Sequence, residues 1–150
     1  MKIVKIYTDG SCLQNPGPGG WGAVLIYNDK IKELSGGEAD TTNNRMELTS
    51  VIKALSCLKF PCRAEITTDS KYVCDAFNKK WVYSWERNNW KKSDGKMALN
   101  IDLWTELLEL SRIHECSFEW IKGHAGHLYN ERCDTLARSE AKKIKSQILK

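Results

Sequence analysis

The chain has 150 residues, of which 41% are hydrophobic and 28% charged. This length predicts one domain, residues 1–150, with a single core. No segment approaches the run of about 20 apolar residues that a membrane-spanning helix needs, and Lys2 and Lys5 interrupt the first apolar run, unlike a signal peptide. We therefore expect a cytoplasmic protein with no membrane partner. The formal net charge of +4 is modest and indicates little about partners by itself.

The six cysteines are predicted to be reduced and mostly buried. Nothing in the sequence indicates secretion, where disulfides would form, and no Cys-x-x-Cys pair suggests a structural zinc site.

The predicted elements alternate between strands and helices. Five apolar, β-rich segments bounded by turn signals are predicted as strands: residues 2–8, 21–27, 31–35, 64–68 and 116–121. Four segments with apolar residues at helical spacing are predicted as helices: residues 44–55, 70–77, 101–111 and 130 onward. The first helix is predicted to start at Asn44 as its cap, with Glu47 three residues further along.

These elements predict an α/β fold with a mixed five-stranded sheet and helices on both faces. Strands joined by turns favour antiparallel pairing, whereas strands joined through helices favour parallel pairing. Ligands of such sheets bind beyond the carboxyl ends of the parallel strands. Asp69 directly follows its strand, and Asp9 follows the first strand, which is central if it pairs with both the second and the fourth.

Four carboxylates are the candidate metal ligands: Asp9, Glu47, Asp69 and Asp134. Each has an ordinary structural explanation, respectively a turn, a capping box, a helix cap and a solvated helix residue. Together, however, they are predicted to meet at one sheet edge, where they would repel one another without a cation. Carboxylates are ligands of Mg²⁺, and two ions about 4 Å apart can activate water and stabilise a leaving oxygen. A magnesium-dependent nuclease is therefore the leading hypothesis.

Several motifs resemble, in order and along nearly the whole chain, those of type 1 ribonuclease H of the bacterial kind. The motifs are YTDGSC at 7–12, NPGPGG at 15–20, TNNRMEL at 42–48, TDSKYV at 68–73, WIKGHAGH at 120–127 and NERCD at 130–134. The resemblance implies the ribonuclease H fold and endonucleolytic cleavage of the RNA strand of an RNA–DNA hybrid, leaving 5′-phosphate and 3′-hydroxyl ends. It implies a monomer without an obligate protein partner.

The resemblance also implies roles for the acidic residues and one histidine. Asp9 would bridge two Mg²⁺ ions, for which Mn²⁺ can substitute. Asp134 would help to hold the ion that activates water, and Glu47 and Asp69 would hold the ion on the leaving-group side. His124 would assist proton movement or product departure. Imidazole changes charge near neutral pH, and the glycine-flanked loop around His124 agrees with that role.

The other histidines have weaker claims. His114 and His127 are interpreted as residues without a catalytic role. A zinc site built from His124, His127 and Cys133 is conceivable but lacks a recognised ligand spacing.

Recognition of RNA requires groups that detect a 2′-hydroxyl, and amides can both donate and accept hydrogen bonds. The candidate substrate-contacting residues near the carboxylates are Asn15, Asn43 and Asn44, the backbone around Cys12 and Gln14, and Thr42 as a phosphate contact. Their alternative explanation is turn and cap chemistry.

A basic segment at residues 79–96 carries six basic and two acidic residues with interleaved aromatic residues. It resembles the basic protrusion with which bacterial family members grip the DNA strand. Its candidate contacts are Trp81, Trp85, Arg87, Lys91 and Lys92. A solvated helix pair with core tryptophans is the alternative.

The sequence departs from the commonest bacterial pattern at Gln14, Lys71 and the pair Leu128-Tyr129. Two other functions stay open at this point. An integrase-like or transposase-like nuclease of the same fold would use the same carboxylates on DNA but would not need the asparagines or the His124 loop. A non-catalytic hybrid-binding module would gain nothing from carboxylates facing phosphate.

Overall fold

The computed structural model of the chain describes residues 1–123 and 126–149. Its strands are β1 Lys2–Cys12, β2 Gly17–Tyr27, β3 Lys30–Thr41, β4 Cys62–Thr68 and β5 Glu115–Trp120. Its helices are α1 Asn43–Ser56, α2 Lys71–Asn78, α3 Trp81–Arg87, α4 Ile101–Ile113 and α5 Leu128–Ile148.

The strands form one mixed sheet in the order β3-β2-β1-β4-β5. The strands β1, β2 and β3 pair antiparallel, whereas β4 pairs parallel with both β1 and β5. The predicted sheet and the central place of β1 are confirmed.

Helices cover both faces of the sheet, as predicted. Neighbouring strand residues point to opposite faces. A side chain at Gly19 would meet Met46 of α1, and one at Gly20 would meet Ala137 of α5. The helices α1 and α5 therefore lie on opposite sides of β2, and the absence of side chains at these glycines lets both helices pack close to the strand.

Four strands are longer than predicted: β4 begins two residues earlier, at Cys62, and β1, β2 and β3 are each extended by four residues or more. β1 continues to Cys12, β2 begins at Gly17 and β3 runs to Thr41. The added residues are held by backbone pairs such as Cys12 with Gly19 and Gly17 with Thr41. Their glycine-rich and polar composition is typical of turns, so that the sequence pattern concealed the pairing.

Two predictions about helices were wrong. The cap of α1 is Thr42, whose hydroxyl accepts a hydrogen bond from the Arg45 backbone N–H at 3.2 Å, and Asn44 lies inside the helix. The short helix α3 was absent from the predicted order. It has seven residues, only Val82 among them is buried, and it starts after Lys80 in the left-handed conformation with φ 63° and no capping side chain. None of the usual helix signals marks it.

The main core lies between the sheet and the helices α1, α2 and α4, with Ile6, Leu48 and Trp104 fully buried. Phe77 stacks on Phe118 with ring centroids 4.2 Å apart. All six cysteines are free thiols, as expected, three of them buried and three partly buried. No helix in the described part of the chain is long and apolar enough to cross a membrane.

Candidate active site

Two carboxylates meet where the parallel strands end. Thr8 pairs with Thr68 in the last step of the β1–β4 ladder, so that Asp9 and Asp69 follow it side by side. Asp9 was predicted to lie at the end of its strand, and this prediction was wrong. β1 continues along β2, and Asp9 pairs there with Gly22. Its position at the edge is nevertheless the predicted one, since β4 stops beside it.

The third carboxylate comes from α1. A side chain at Gly10 would collide with the backbone of Met46 and Glu47, so glycine at this position lets the helix approach β1 directly. The Gly10 backbone N–H then donates a hydrogen bond to Glu47 Oε1. Glu47 is thus held against β1 and does not close a capping box, which removes its ordinary structural explanation.

Asp9, Glu47 and Asp69 each offer one carboxylate oxygen, and these three oxygens lie within 4.8 Å of one another. The side chains of Asp9 and Glu47 are only 6% and 8% exposed. Burial raises the pKa of Asp9, and repulsion from Glu47 adds to the shift. Burial, with repulsion from Asp69, raises the pKa of Glu47 as well. A divalent cation among these oxygens would relieve both the burial cost and the repulsion.

Asp134 approaches the same cluster from the opposite face of the sheet. A side chain at Gly22 would lie 2.7 Å from the Cys133 carbonyl oxygen, and the Cys133 thiol donates to the Tyr7 carbonyl oxygen at 3.2 Å. The backbone of α5 next to Asp134 is therefore fixed on β1 and β2. Repulsion from Asp134 contributes to the raised pKa of Asp9, although Asp134 is outside the group of three and accepts from Arg138 at 2.9 Å.

The predicted readers of the sugar lie in the β1–β2 connection and at the start of α1, the helix that carries Glu47. The Asn43 backbone N–H donates to Asn15 Oδ1 at 3.1 Å, which joins the β1–β2 connection to the start of α1. The Cys12 thiol donates to the Gln14 carbonyl oxygen at 2.9 Å within the same connection. The side chains of Gln14, Asn43 and Asn44 are exposed, so that this rim presents amide groups to solvent. Thr42 is partly occupied as the cap of α1.

The basic segment shows features of both interpretations offered for it, a surface that grips the substrate and a solvated helical region with core tryptophans. Trp85 packs edge-on against buried Trp104 at 5.8 Å, as a core residue would. Trp81 is 45% exposed, with the Lys79 ammonium 5.1 Å from its ring centroid. Both tryptophans line a groove of about 590 Å³ that Lys92 and Lys71 border. Arg87 and Lys91 are exposed nearby on α3 and the loop after it.

Two residues that support Asp69 were missed by sequence reasoning. The Trp120 indole N–H donates to the Asp69 carbonyl oxygen at 2.9 Å. A side chain at Gly123 would lie 2.8 Å from Asp69 Oδ2, so that any other residue at this position would displace that carboxylate. The one sequence feature that could have indicated them is their place in the motif at 120–127, in which the histidines have the side chains most typical of catalysis.

The histidines have separate outcomes. His124 lies outside the described residues, and its role stays a prediction. His114 is buried and its Nδ1 accepts from the Cys62 backbone N–H at 3.1 Å, which is a structural role. His127 is exposed and precedes α5 without making a capping hydrogen bond through its side chain.

Known proteins match this chain along most of its length. The RNase H family model matches residues 1–142. Ribonuclease H of Nitratidesulfovibrio vulgaris is 57% identical over 141 residues, which cover 94% of this chain and 90% of that protein. Ribonuclease H of Mesorhizobium japonicum is 57% identical over 137 residues, covering 91% and 77%.

Solved structures agree with the fold. LC9-RNase H1, described as a type 1 RNase H with the type 2 active-site motif, has a TM-score of 0.84 at 35% identity, covering 95% of this chain and 74% of that one. LC11-RNase H1, solved in complex with an RNA/DNA hybrid, has a TM-score of 0.68 at 21% identity, with coverage of 93% and 97%. The second likeness concerns the fold alone.

Proposed function

The chain belongs to the ribonuclease H family, and we propose that it hydrolyses the RNA strand of RNA–DNA hybrids through two metal ions, leaving 5′-phosphate and 3′-hydroxyl ends. One observation carries the proposal: the oxygens of Asp9, Glu47 and Asp69 lie within 4.8 Å of one another at the edge of the sheet. Relatives named ribonuclease H at 57% identity support the substrate class.

The donor set fits Mg²⁺, since hard carboxylate oxygens with open positions suit an ion that keeps water and substrate oxygens. In this proposal Asp9 would serve both ions, Glu47 and Asp69 would hold the ion on the leaving-group side, and Asp134 would help to hold the other ion. When bound, the ions lower the pKa of an attacking water and neutralise charge on the leaving oxygen. Mn²⁺ is the proposed substitute.

The protein groups position the substrate around these ions. Asp9 and Glu47 are themselves largely shielded from solvent on the inner side of the site. The exposed amides at Asn43 and Asn44, with Asn15, are proposed to read 2′-hydroxyls with the backbone of Cys12 and Gln14, and Thr42 to contact phosphate. His124 is proposed to move a proton or assist product departure.

The basic segment is proposed to grip the DNA strand through Arg87, Lys91 and Lys92, with sugars packing on Trp81 and the exposed part of Trp85. We also propose that residues 1–150 act as one catalytic domain and as a monomer. Six free thiols support a reducing, cytoplasmic location.

A panel of labelled substrates tests the proposal. Hybrid, duplex RNA and duplex DNA are incubated with and without Mg²⁺, and the product ends are mapped. Cleavage of only the RNA strand of the hybrid, and only with metal, is the expected result. Cleavage of duplex DNA would indicate the integrase-like alternative, and hybrid binding without cleavage would indicate a binding module.

A further inference from the structure

Trp120 lies directly beside a proposed metal ligand. It is the last residue of β5 and pairs with Thr68, which precedes Asp69. Its indole N–H holds the Asp69 carbonyl oxygen at 2.9 Å, and the next backbone N–H, of Ile121, donates to the Thr68 carbonyl oxygen at 3.0 Å. One edge of the ring and the backbone that follows it are therefore both held on the end of β4, yet 41% of Trp120 is exposed.

The exposed Trp120 ring makes a cation–π contact with Lys71. The Lys71 ammonium lies 4.6 Å from the centroid of the Trp120 ring, a distance at which the negative face of the ring attracts it. Lys71 is the first residue of α2 and is itself exposed. A ring contacts an ammonium from one side only, so N–H groups of Lys71 remain available to an anion. The arrangement presents a cation at a fixed place two residues from Asp69.

Lys71 also borders the groove of the basic segment, together with Trp81, Trp85 and Lys92. It thus lies between this groove and the carboxylates. A nucleic-acid strand that runs from the groove to the carboxylates passes Lys71. The negative groups that such a strand presents to Lys71 are its backbone phosphates.

We propose that Lys71, held by Trp120, binds a backbone phosphate of the hybrid next to the one that is cut. Trp120 is then a positioning residue with two tasks, since its ring face holds Lys71 and its N–H holds the backbone of Asp69. This inference rests on the proposed function and extends it to a residue that departs from the commonest bacterial pattern.

The variants K71Q and K71R test the phosphate contact, and K30Q is the control. Lys30 is an exposed lysine at the start of β3, at the opposite edge of the sheet from the carboxylates. Steady-state cleavage of one hybrid is measured at several salt concentrations. We expect K71Q to raise KM by about three- to tenfold at low salt. It should lower the slope of log KM against log salt by about 0.9, the value for one phosphate contact on duplex DNA.

The other variants separate binding from positioning. K71R keeps a cation on the ring and should retain the salt slope, and K30Q should behave as wild type. W120F keeps a ring face but loses the indole N–H, so kcat should fall while the salt slope stays. A structural role for Lys71 would leave the slope of K71Q unchanged.

Failure of the inference and failure of the proposed function give different results. If wild type cleaves the hybrid and K71Q keeps the wild-type slope, the inference alone is overturned. If wild type does not cleave, the proposed function is wrong. Hybrid binding by the D9N and D9N/K71Q variants, which needs no cleavage, then decides the Lys71 contact by the same difference in salt slope.

Discussion

Replacing Asp9 by Asn should stabilise the metal-free protein at neutral pH. Burial, with repulsion from Glu47, raises the pKa of Asp9 above its ordinary value of 3.8. The folded state therefore holds this proton more tightly than the unfolded state. The resulting contribution to stability is complete below about pH 4, the unfolded pKa, and is lost as pH rises toward the folded pKa. Asparagine keeps the shape of the side chain without the charge.

The magnitude follows from the distance between the unfolded pKa and the working pH. At pH 7 this distance is about 3 pH units, and each unit corresponds to about 1.4 kcal/mol, which sets a ceiling of about 4 kcal/mol. Relaxation of Glu47 and Asp69 reduces the gain, so we expect D9N to raise the free energy of unfolding by about 1 to 4 kcal/mol at pH 7. Below about pH 4 the difference should vanish.

Urea unfolding in the presence of a chelator measures this effect between pH 4 and pH 8. The control is D29N, since Asp29 lies in the exposed β2–β3 turn. Three results would refute the electrostatic explanation. D9N could be no more stable than wild type at pH 7, its gain in unfolding free energy could be equal at all pH values, or D29N could show the same gain. Saturating Mg²⁺ should narrow the difference, because only wild type retains the bridging carboxylate.

Further substitutions separate chemistry from binding. E47Q and D69N should each remove nearly all hybrid cleavage in Mg²⁺ with the fold retained, as circular dichroism would verify, and activity near wild type would exclude the residue as a ligand. D134N should give a smaller loss in single-turnover rate, because Asp134 lies outside the group of three and an amide oxygen can still bind metal; complete inactivity would place Asp134 at the centre. The triple variant R87A/K91A/K92A should raise KM far more than it lowers kcat, because it removes up to three cations that bind phosphate, each contributing about 0.9 to the salt slope. An unchanged KM with a collapsed kcat would show that the basic segment shapes the active site instead.

The sheet order could be predicted from the sequence because the connections decide it. Turn signals separate β1, β2 and β3, and helices separate the rest, so that parallel and antiparallel pairing follow. Asp69 could be placed at the sheet edge for the same reason. The long ends of β1 and β3 could not be predicted, since their residues are held by the partner strand and not by their own propensity.

The supports of the site were harder to predict than its ligands. Carboxylates indicate metal chemistry by their residue type, but the contact of Gly10 with α1 and the hydrogen bond from Trp120 to Asp69 depend on elements far apart in the chain. The helix α3 escaped prediction because packing of Val82 and Trp85 against the core holds it, without a cap or a long apolar stripe. The sequence alone could not exclude a capping box as the explanation of Glu47. The hydrogen bond from Gly10 that excludes it joins residues 37 positions apart.

Single-turnover cleavage of a hybrid by wild type and D9N over a series of Mg²⁺ concentrations tests the central claim most directly. The two-ion account predicts that wild type cuts only the RNA strand, only with metal, and leaves 5′-phosphate and 3′-hydroxyl ends. D9N, folded and still binding the hybrid, should lose about a thousandfold or more in rate at every Mg²⁺ concentration. Cleavage by D9N near the wild-type rate, or metal-independent cleavage by wild type, would contradict the assignment of the carboxylate cluster as the catalytic centre.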